Sequence, residues 1–287
     1  MDIPTKNNRK ILVTQALPYA NAPLHLGHIL EAVQTDIWTR FQNLNGNECH
    51  FFCADDTHGT PVMLKANEMG ITPEKLIEDV YQDHKSTYEL YDINFANFYS
   101  THSVENKKYS EFIYKCAKEN KLISKSVVEQ YFDETEKMFL SDRFIKGTCP
   151  KCGAENQHGD NCGVCGASYN VLEIENPVST ISNTKPVKKE SEHIFFDLPA
   201  KRDMLKEFIE KVDIQESIKN KLKEWLGDDL KKWDISRDAP YFGFEIPDED
   251  NKFFYVWVDA PIGYIASISN WANSNQIEME DLWSENS

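Results

Sequence analysis

The sequence has few basic residues for its length. Its 287 residues include 31 Lys and Arg against 47 Asp and Glu, which gives a net charge of −16 at pH 7. Proteins that grip a nucleic-acid backbone over a wide surface do so with clustered Lys and Arg. The composition therefore excludes a general electrostatic nucleic-acid binder, and any contact with nucleic acid must be local.

Long apolar runs are also missing. No apolar signal core lies near the N-terminus, and no uninterrupted apolar stretch is long enough to span a bilayer. We therefore expect a soluble cytoplasmic protein with no membrane partner. With 40% hydrophobic residues, the chain can bury one large core, or one core plus a small satellite domain.

Cysteine is scarce outside one short segment. Four of the seven cysteines stand in two Cys-x-x-Cys pairs that nine residues separate. An odd number of cysteines, concentrated in this way, favours metal binding in a reducing compartment over a disulfide framework. Two such turns supply four thiolates to a tetrahedral zinc ion and leave no open position, so we predict one structural Zn²⁺. The expected ligands are Cys149, Cys152, Cys162 and Cys165.

Two other interpretations of this segment stay open. The four cysteines could be buried thiols or disulfides, although pairs this close in sequence would form strained loops. His158 lies in the connecting loop and could replace one thiolate. We favour the four cysteines because their spacing is symmetrical.

A second segment has the features of a nucleotide site. Residues 11–17 form a short apolar run typical of a buried parallel strand, and a helical pattern follows. His25 and His28 therefore lie at a predicted helix start, where free backbone N–H groups and the positive end of the dipole attract phosphate. Gly27 lets a flat ring approach the backbone, so the segment suits a triphosphate. The apolar residues at helical spacing are Leu26, Leu30, Val33, Ile37, Phe41 and Leu44.

Three segments together carry a family resemblance. Residues 25–28 (HLGH) resemble the HIGH signature of class I aminoacyl-tRNA synthetases. Residues 53–61 (CADDTHGTP) and 255–264 (YVWVDAPIGY) follow in an order and at separations similar to those of the methionyl-tRNA synthetase family. The resemblance extends from about Lys10 to about Asn270. It implies ATP-dependent activation of methionine, followed by transfer to tRNA(Met).

The resemblance also implies site residues. His25 and His28 would be catalytic and, with Tyr19 and Gly27, would bind ATP, which Mg²⁺ accompanies. Asp56 would hold the ammonium group of methionine. Aromatic rings suit a thioether, because sulfur–aromatic contacts contribute about 0.3 to 1.5 kcal/mol each. The residues that match the methionine pocket are Leu17, Tyr19, Asp56, Trp257, Pro261 and Tyr264.

Two further residues keep alternative interpretations. Arg237 stands between acidic neighbours and could steer phosphate or form a salt bridge. His58 could touch substrate, but we expect a loop histidine whose hydrogen bonds are satisfied within the protein.

The alternation of strand and helix predicts a Rossmann-like doubly wound parallel sheet, with ligands at the carboxyl ends of its strands. Residues 1–123 would form its first half. Residues 124–233 would be an inserted connective-peptide domain with the zinc knuckle and a helix near residues 201–230. Residues 234–287 would lead back into the main sheet, with 253–258 as a buried strand. Within the first half we also predict a strand at 49–54, an N-cap at Thr72 and a helix at 105–120.

Two other functions stay open at this point. Other HIGH-bearing nucleotidyltransferases share the helix start, and a non-enzymatic zinc-ribbon interaction module would explain the cysteines. Neither needs the segments around Asp56 and Trp257. In the resembled family a lysine-rich KMSKS loop and a helical anticodon-binding domain come later, and no KMSKS-like string follows Tyr264. We therefore expect an N-terminal portion of a longer enzyme, inactive or weakly active by itself.

Overall fold

The chain forms two compact units in the computed structural model, which describes residues 9–227 and 230–282. The first unit contains Met1–Cys116 and Tyr241–Ser287, and the second contains Ala117–Pro240. The predicted insertion at residues 124–233 falls inside the second unit, and its exact bounds stay a prediction. None of the helices in this described part of the chain is long and apolar enough to cross a membrane.

Strands and helices alternate at first, and a run of short strands follows in the second unit. In chain order they are β1 (Lys10–Thr14), α1 (Leu26–Leu44), β2 (Glu48–Asp55), α2 (Thr60–Met69), α3 (Pro73–Leu90), β3 (Asn97–Ser100), α4 (Val104–Glu119), β4 (Ile123–Asp133), β5 (Met138–Phe139), β6 (Ile145–Thr148), β7 (Gln157–His158), β8 (Glu175–Ser179), β9 (Val187–Phe196), α5 (Arg202–Lys211), α6 (Glu216–Trp225), β10 (Trp233–Asp234), β11 (Ser236–Asp238), β12 (Lys252–Phe254), α7 (Val256–Asn275) and α8 (Met279–Leu282).

The first unit is built on a parallel sheet of three strands in the order β1-β2-β3. Val13 pairs with Phe51 between β1 and β2, and Cys53 pairs with Phe98 between β2 and β3. The central strand, β2, is almost wholly buried, which is typical of parallel strands covered by helices. The predicted parallel strands are confirmed, although β1 already ends at Thr14.

Helices cover both faces of this sheet. Successive side chains of β2 point to opposite faces. Phe51 packs with Ile29 of α1 and Tyr88 of α3, whereas Phe52 packs with Ile268 of α7. Each buried phenylalanine contributes about 1.5 to 3 kcal/mol relative to an exposed one. The doubly wound arrangement predicted from the sequence is therefore confirmed.

The helix predicted after His25 is α1. The apolar residues whose helical spacing predicts it are mostly exposed, and other residues form its buried face. It packs inward through Ile29, Ala32 and Asp36. Asp36 accepts hydrogen bonds from the Arg40 side chain (2.6 Å) and from the Asn94 N–H (3.1 Å), so this carboxylate is paired. The apolar residues with exposed fractions between 56% and 87% are Leu26, Leu30, Ile37, Phe41 and Leu44.

Two further helix predictions in the first unit are confirmed. Thr72 caps α3, because its side chain accepts a hydrogen bond from the Lys75 N–H at 3.2 Å. The helix expected at residues 105–120 is α4, which spans Val104–Glu119.

The second unit consists largely of antiparallel strands. β4 and β9 pair from Ile123 opposite Phe196 to Phe132 opposite Val187, within a sheet of order β10-β9-β4-β5. A second sheet has the order β7-β6-β8, and the cysteine segment follows β6 directly.

Two predictions for the second unit are wrong. Residues 201–230 contain two helices, α5 and α6, because Val212 is extended and residues 212–214 (VDI) are weak helix formers. The segment after residue 233 does not lead straight into the main sheet, because Asp234 pairs with Phe195 of β9.

The predicted strand at residues 253–258 is also wrong. β12 ends at Phe254 and α7 begins at Val256, so Trp257 lies in the first turn of a helix. The β-branched residues here favour a strand locally. Burial of Ile262 and Ala266 at helical spacing decides the outcome, because packing of one face provides most of a helix's stability.

Candidate active site

Two loops lie side by side at the carboxyl ends of β1 and β2. Tyr19 and Asp56 form a parallel bridge, in which the Ala20 N–H donates to the Asp56 carbonyl (2.8 Å). The Asp56 N–H donates to the Pro18 carbonyl, also at 2.8 Å. Both loops therefore border the same region, where an open parallel sheet binds its ligands.

Gly59 allows Tyr19 to sit against the second loop. The Tyr19 hydroxyl donates to the carbonyl of His58 at 2.8 Å. A Cβ on Gly59 would lie 2.8 Å from that hydroxyl oxygen, and Gly59 has a φ of 117°, which L side chains rarely adopt. Gly59 is thus required both by the backbone and by the position of the tyrosine.

The two histidines of the HLGH segment cap the start of α1. Nδ1 of His25 accepts a hydrogen bond from the Gly27 N–H (3.1 Å), and the His28 N–H also points at this side chain. In return, the His25 N–H donates to Nδ1 of His28 at 3.3 Å, and the two rings stack 3.7 Å apart. Gly27 permits this, since a Cβ there would lie 2.9 Å from Cε1 of His25.

The expectation of free N–H groups at this helix start is therefore wrong for Gly27 and His28. An imidazole acceptor takes the place that a phosphate oxygen would occupy, because both are attracted by the positive end of the helix. A phosphate group must displace the His25 ring to reach these N–H groups.

The cap also fixes which ring nitrogens can donate. Nδ1 of each histidine accepts a backbone N–H, so the proton of the neutral ring lies on Nε2. Burial lowers the pKa of His28, and the neighbouring His25 and His84 lower it further. The pair can therefore present Nε2–H donors to an anion without carrying a charge.

A buried histidine pairs with the first of the two aspartates after β2. Asp55 accepts a hydrogen bond from Nδ1 of His84 (2.7 Å), and Nε2 of His84 donates to the Ala22 carbonyl (2.8 Å). Both side chains are fully buried. Burial alone would lower the pKa of His84, but the Asp55 carboxylate and the Ala22 carbonyl raise it overall. His84 thus joins the loop after β1 to the end of β2.

A second buried histidine pairs with an aspartate of α7. Nδ1 of His58 lies 2.6 Å from Asp259 Oδ2, and Nε2 of His58 lies 3.0 Å from Nδ1 of His102. The side chains of His58 and Asp259 are fully buried. Because both ring nitrogens of His58 have partners, the expectation of a satisfied loop histidine is confirmed.

Asp56 differs from the other two carboxylates. One oxygen of each carboxylate (Asp55 Oδ2, Asp56 Oδ1, Asp259 Oδ1) has no hydrogen-bond partner among the described residues, but Asp56 lacks the histidine contact that the other two have, and its side chain reaches the surface in part. Burial raises the pKa of Asp56 to about 8, and the charges of Asp259 and Asp55 contribute to the rise. A cationic group that arrived from solvent would satisfy Asp56 Oδ1 and lower that pKa.

Three of the predicted pocket residues lie along one stripe of α7. Trp257, Pro261 and Tyr264 are spaced i, i+4 and i+7, so they share a helix face. Trp257 is 66% exposed in the first turn, whereas Tyr264 is half-buried. Pro261 has no N–H to donate to the Trp257 carbonyl, so the helix is less firmly held where the tryptophan stands.

Tyr264 lies near the loops that carry Leu17 and Asp56. Burial raises the pKa of Tyr264, the charge of Asp56 adds to that rise, and the Leu17 backbone hydrogen-bonds the hydroxyl. A Cβ on Gly263 would lie 3.3 Å from Cδ1 of Leu17, so glycine allows α7 to pack closely here. Trp257 stands about 10 Å further along the helix axis. The assigned roles of these residues stay predictions.

Sequence reasoning missed the residues that pair with the carboxylates. His84 lies on the same face of α3 as the buried Tyr88. A histidine on the apolar face of a helix is therefore the sequence signal that could have identified His84 as a buried partner. Asp259 is a buried charge in an apolar helix start, and His102 carried no signal of its own. Arg237 lies 3.6 Å from Asp234, which supports the salt-bridge interpretation.

The four cysteines of the second unit converge on one point. Their Sγ atoms all lie within 4.8 Å of one another, with 3.9 Å between Cys149 and Cys165 and 3.7 Å between Cys152 and Cys162. All four thiols are free. The predicted ligand set is thus brought together, and these four residues are the group of possible metal ligands found in the described part of the chain.

The two Cys-x-x-Cys turns have the same local geometry. The Gly153 N–H donates to the Cys149 carbonyl (3.0 Å), and the Gly166 N–H donates to the Cys162 carbonyl (2.9 Å). The glycines have φ values of 73° and 71°, in the left-handed region. The backbone N–H of Cys165 lowers the pKa of the Cys162 thiol, whereas contacts with the other sulfurs raise the pKa of the Cys152 thiol, so the two thiols share their protons.

The sulfur geometry fits a zinc ion. Four thiolates at a Zn–S distance of about 2.3 Å form a tetrahedron whose edges are about 3.8 Å long. The two measured Sγ–Sγ distances of 3.7 Å and 3.9 Å agree with that edge. A tetrahedral metal could bind here once the more widely spaced sulfur atoms, which all lie within 4.8 Å of one another, close to that edge.

A parallel sheet with a histidine-capped helix after its first strand defines an α/β protein of the nucleotide-binding class. A family model described as tRNA synthetases class I (M) matches residues 11–287, and the chain belongs to this family.

Solved structures share the fold. One is described as the crystal structure of Mycobacterium tuberculosis methionyl-tRNA synthetase bound by methionyl-adenylate. It has a TM-score of 0.68 and 20% identity over 91% of this chain. Another, the enzyme of the same organism in complex with methionyl-adenylate, has a TM-score of 0.69 and 21% identity over 90% of this chain. This chain spans 47% of the length of each.

Proposed function

We propose that this chain carries the methionine-activating site of a methionyl-tRNA synthetase. The methionine carboxylate attacks the α-phosphorus of ATP, the bond to the bridging oxygen of the β-phosphate breaks, and pyrophosphate leaves. The aminoacyl group then passes from the adenylate to the 3′ end of tRNA(Met) in the whole enzyme. Family membership over residues 11–287 supports this assignment. The same chain also contains the predicted ATP segment, the predicted methionine segments and the cysteine segment.

The observation that carries the proposal is the state of Asp56. Each of the three clustered carboxylates has one oxygen without a hydrogen-bond partner among the described residues, but Asp55 and Asp259 each have a histidine within 2.7 Å of the other oxygen, whereas no such histidine contact is found for Asp56 in the described part of the chain. An α-ammonium group supplies the missing charge and hydrogen-bond donors together. Asp56 thus selects ligands with an amino group, because a ligand without one leaves the carboxylate buried and unpaired.

The methionine thioether lies against apolar and aromatic side chains, which recognise its shape and its polarizability. Tyr19 and Tyr264 flank the carboxylate, Leu17 adds apolar surface, and Trp257 with Pro261 extends the same stripe of α7 outward. Because Trp257 is exposed at the helix start, we expect it to close over the side chain when methionine binds.

The HLGH segment binds ATP. When the phosphates arrive they replace the His25 ring at the Gly27 and His28 N–H groups, and the released imidazoles donate Nε2–H to phosphate oxygens. These donors interact more strongly with the transition state than with bound ATP, since negative charge accumulates on the oxygens there. Mg²⁺ bound with ATP supplies further charge compensation.

The four cysteines hold one structural Zn²⁺. All four coordination positions are filled by protein sulfur, so the ion has no place for substrate or water and acts on folding alone. A cytoplasmic location and binding of tRNA(Met) belong to the same proposal.

Calorimetric titration of the 287-residue chain with methionine tests the proposal. We expect Asp56→Asn to weaken binding by about a hundredfold or more, since loss of one partner of a buried charge pair costs about 3 to 5 kcal/mol. The affinity of the unaltered chain should rise between pH 6 and 8, because the pKa of Asp56 is about 8 and the carboxylate form binds the ammonium group.

Two controls make the result specific. Asp79→Asn removes an exposed carboxylate that pairs with Lys75, and it should not alter the affinity. 4-(Methylthio)butanoate, which is methionine without its amino group, should bind both the unaltered chain and Asp56→Asn weakly and equally. Equal methionine affinity for the unaltered chain and Asp56→Asn would overturn the proposal.

A further inference from the structure

The first turn of α7 carries Trp257 and is held less firmly than the rest of that helix. Its N-cap residue, Tyr255, makes no capping hydrogen bond with its side chain. Pro261 cannot donate an N–H to the Trp257 carbonyl, so the turn also lacks one of its helical hydrogen bonds. A contact from outside the helix therefore has a large influence on where the exposed Trp257 ring stands.

A tyrosine from outside the helix provides such a contact. The Val256 N–H, the first of α7, donates to the hydroxyl oxygen of Tyr241 at 3.0 Å. It is one of the N–H groups that a helix start leaves without an intrahelical partner. The Tyr241 hydroxyl therefore acts as a cap that the N-cap side chain does not provide, and it does so one residue before Trp257.

The backbone next to this tyrosine is bound to the loop that follows β2. The Gly59 N–H donates to the Phe242 carbonyl at 2.8 Å. A Cβ on Gly59 would lie 3.7 Å from the Tyr241 hydroxyl oxygen and 2.8 Å from that of Tyr19, so both hydroxyls stand beside this glycine. Tyr241 and Phe242 thus contact both the loop that carries Asp56 and the first turn of α7.

The place of the Tyr241 ring is itself determined by its neighbours. The ring lies 6.0 Å from that of Phe253, centroid to centroid. A Cβ on Gly243 would lie 2.9 Å from Cε1 of Tyr241 and 3.2 Å from its Cδ1, so the glycine leaves the space that the ring occupies. All of these residues belong to the first unit, so the hydroxyl joins two segments of one compact body.

We propose that Tyr241 is a positioning residue for recognition of the methionine side chain: its hydroxyl fixes the first turn of α7 relative to the loop that carries Asp56, and it thereby sets where Trp257 stands. This inference rests on the proposed function for the identity of the ligand. Its structural part rests on the hydrogen bonds of Tyr241 and Phe242 alone. Without the hydroxyl the turn moves more, and closing Trp257 over a ligand then loses more conformational freedom.

Hydrogen exchange in the ligand-free 287-residue chain tests the structural part. Tyr241→Phe removes the hydroxyl and keeps the ring beside Phe253 and Gly243. We expect the Val256 amide to exchange about five- to tenfold faster in this variant, which is the effect of losing one typical hydrogen bond. Gly243→Ala keeps the hydroxyl but displaces the ring, so it should speed the same exchange by a second route.

Calorimetric titration with methionine tests the role in binding. Tyr241→Phe should weaken methionine binding about three- to tenfold, because ordering one mobile side chain opposes binding by about this factor. In a Trp257→Ala background the same change should have an effect of less than about twofold, since both substitutions act through one ring. Tyr81→Phe is the control: its hydroxyl donates to the Phe98 carbonyl at 2.8 Å, and its loss should leave the affinity unchanged.

The outcomes separate this inference from the proposed function. An unchanged Val256 exchange rate in Tyr241→Phe overturns the hold on α7. A faster rate with unchanged methionine affinity overturns the role in side-chain recognition. An equal loss of affinity in the Trp257→Ala background, or in Tyr81→Phe, overturns it as well. If the exchange rate rises but the unaltered chain does not bind methionine, the proposed function fails while the hold of Tyr241 on α7 stands.

Discussion

The carboxylate cluster of the first unit and the cysteine cluster of the second unit both gather groups that can carry negative charge, but they differ in the partners that surround those groups. Asp55 and Asp259 each have a histidine in contact, at 2.7 Å and 2.6 Å. The four cysteine sulfurs have only one another and a few backbone N–H groups nearby, such as that of Lys151 at 3.4 Å from Cys149. The first cluster therefore has internal partners for two of its carboxylates, whereas on the proposed function the second would obtain its counter-charge from a metal ion.

The two clusters also differ in what a cation would contribute: folding at the cysteines and ligand binding at the carboxylates. Four sulfurs that converge on one point form a ligand set, so, on the proposed function, binding of a metal ion would contribute to the folding of the cysteine segment. In the carboxylate cluster, His84 and His58 contact Asp55 and Asp259, and on the proposed function the half-buried Asp56 would receive an external cation. On the proposed function, a permanent ion would serve structure in one region, and a transient ammonium group would serve recognition in the other.

The largest expected effect comes from removing one cysteine ligand. Cys162→Ser should disorder the cysteine segment and the sheet β7-β6-β8, because apparent zinc-binding free energies of about 10 to 16 kcal/mol contribute directly to the folding of such small sites. Hydrogen exchange of the backbone amides between Ile145 and Ser179, with zinc content measured in parallel, gives the result. Cys116→Ser is the control, since Cys116 lies outside the cluster. Full protection of these amides in a zinc-free Cys162→Ser chain would show that the segment folds without a metal.

The same comparison explains what the sequence could predict. The cysteine site is local, because two turns of four residues and a short loop determine it, and the spacing alone gives all four ligands. The carboxylate site depends on contacts between distant residues: His58 and Asp259 are 201 positions apart, and His84 and Asp55 are 29 apart. No local pattern encodes such pairs, so only the residues in recognised motifs were found.

The fold shows the same limit. The parallel strands and α1, α3 and α4 were predicted, since each combines a periodic pattern with a cap or a strand-like run. The first turn of α7 was not, because Val256 and Val258 favour a strand until the helix packs through Ile262 and Ala266. The exposed stripe of α1 is a similar case, because periodicity reveals a helix and not the face that it buries.

A smaller effect should follow from breaking the internal balance of the carboxylate cluster. His84→Ala leaves Asp55 buried without a partner, which costs about 3 to 5 kcal/mol. The pKa of His84 is raised in the fold, so its contribution to stability is complete below about pH 6.5 and is lost as the pH rises through the folded-state pKa. Urea unfolding at pH 6 and pH 9 should therefore give a larger difference between the unaltered chain and His84→Ala at pH 6.

Two variants test whether this effect belongs to the buried pair. His84→Asn retains a donor near the Nδ1 position and should lose less stability than His84→Ala. His158→Ala removes an exposed histidine and should change the free energy of unfolding by less than about 0.5 kcal/mol. If His84→Ala is as stable as His158→Ala, Asp55 does not depend on an internal cation and the comparison between the two clusters fails.

The smallest expected effect has the opposite sign and concerns the carboxylate that has no histidine. The pKa of Asp56 is about 8 in the fold, against an ordinary value of 3.8, because burial and the neighbouring Asp259 and Asp55 disfavour its charge. A carboxyl shifted in this direction stabilises the fold fully at low pH and loses that contribution as the pH rises through 8. Asp56→Asn is neutral throughout, so its advantage over the unaltered chain should grow with pH to on the order of 1 to 3 kcal/mol.

Urea unfolding of the ligand-free chain at pH 5.5 and pH 8.5 measures this difference, with Asp79→Asn as the exposed control. A stability advantage for Asp56→Asn that grows toward pH 8.5 means that the fold tolerates an uncompensated charge there, a pattern expected where binding rather than stability determines the residue. Methionine should remove the difference by stabilising only the unaltered chain, since ligand that binds the folded state raises its stability. An Asp56→Asn chain that is less stable than the unaltered one at pH 8.5 would show instead that Asp56 is paired within the protein, and the cluster would then resemble a structural site.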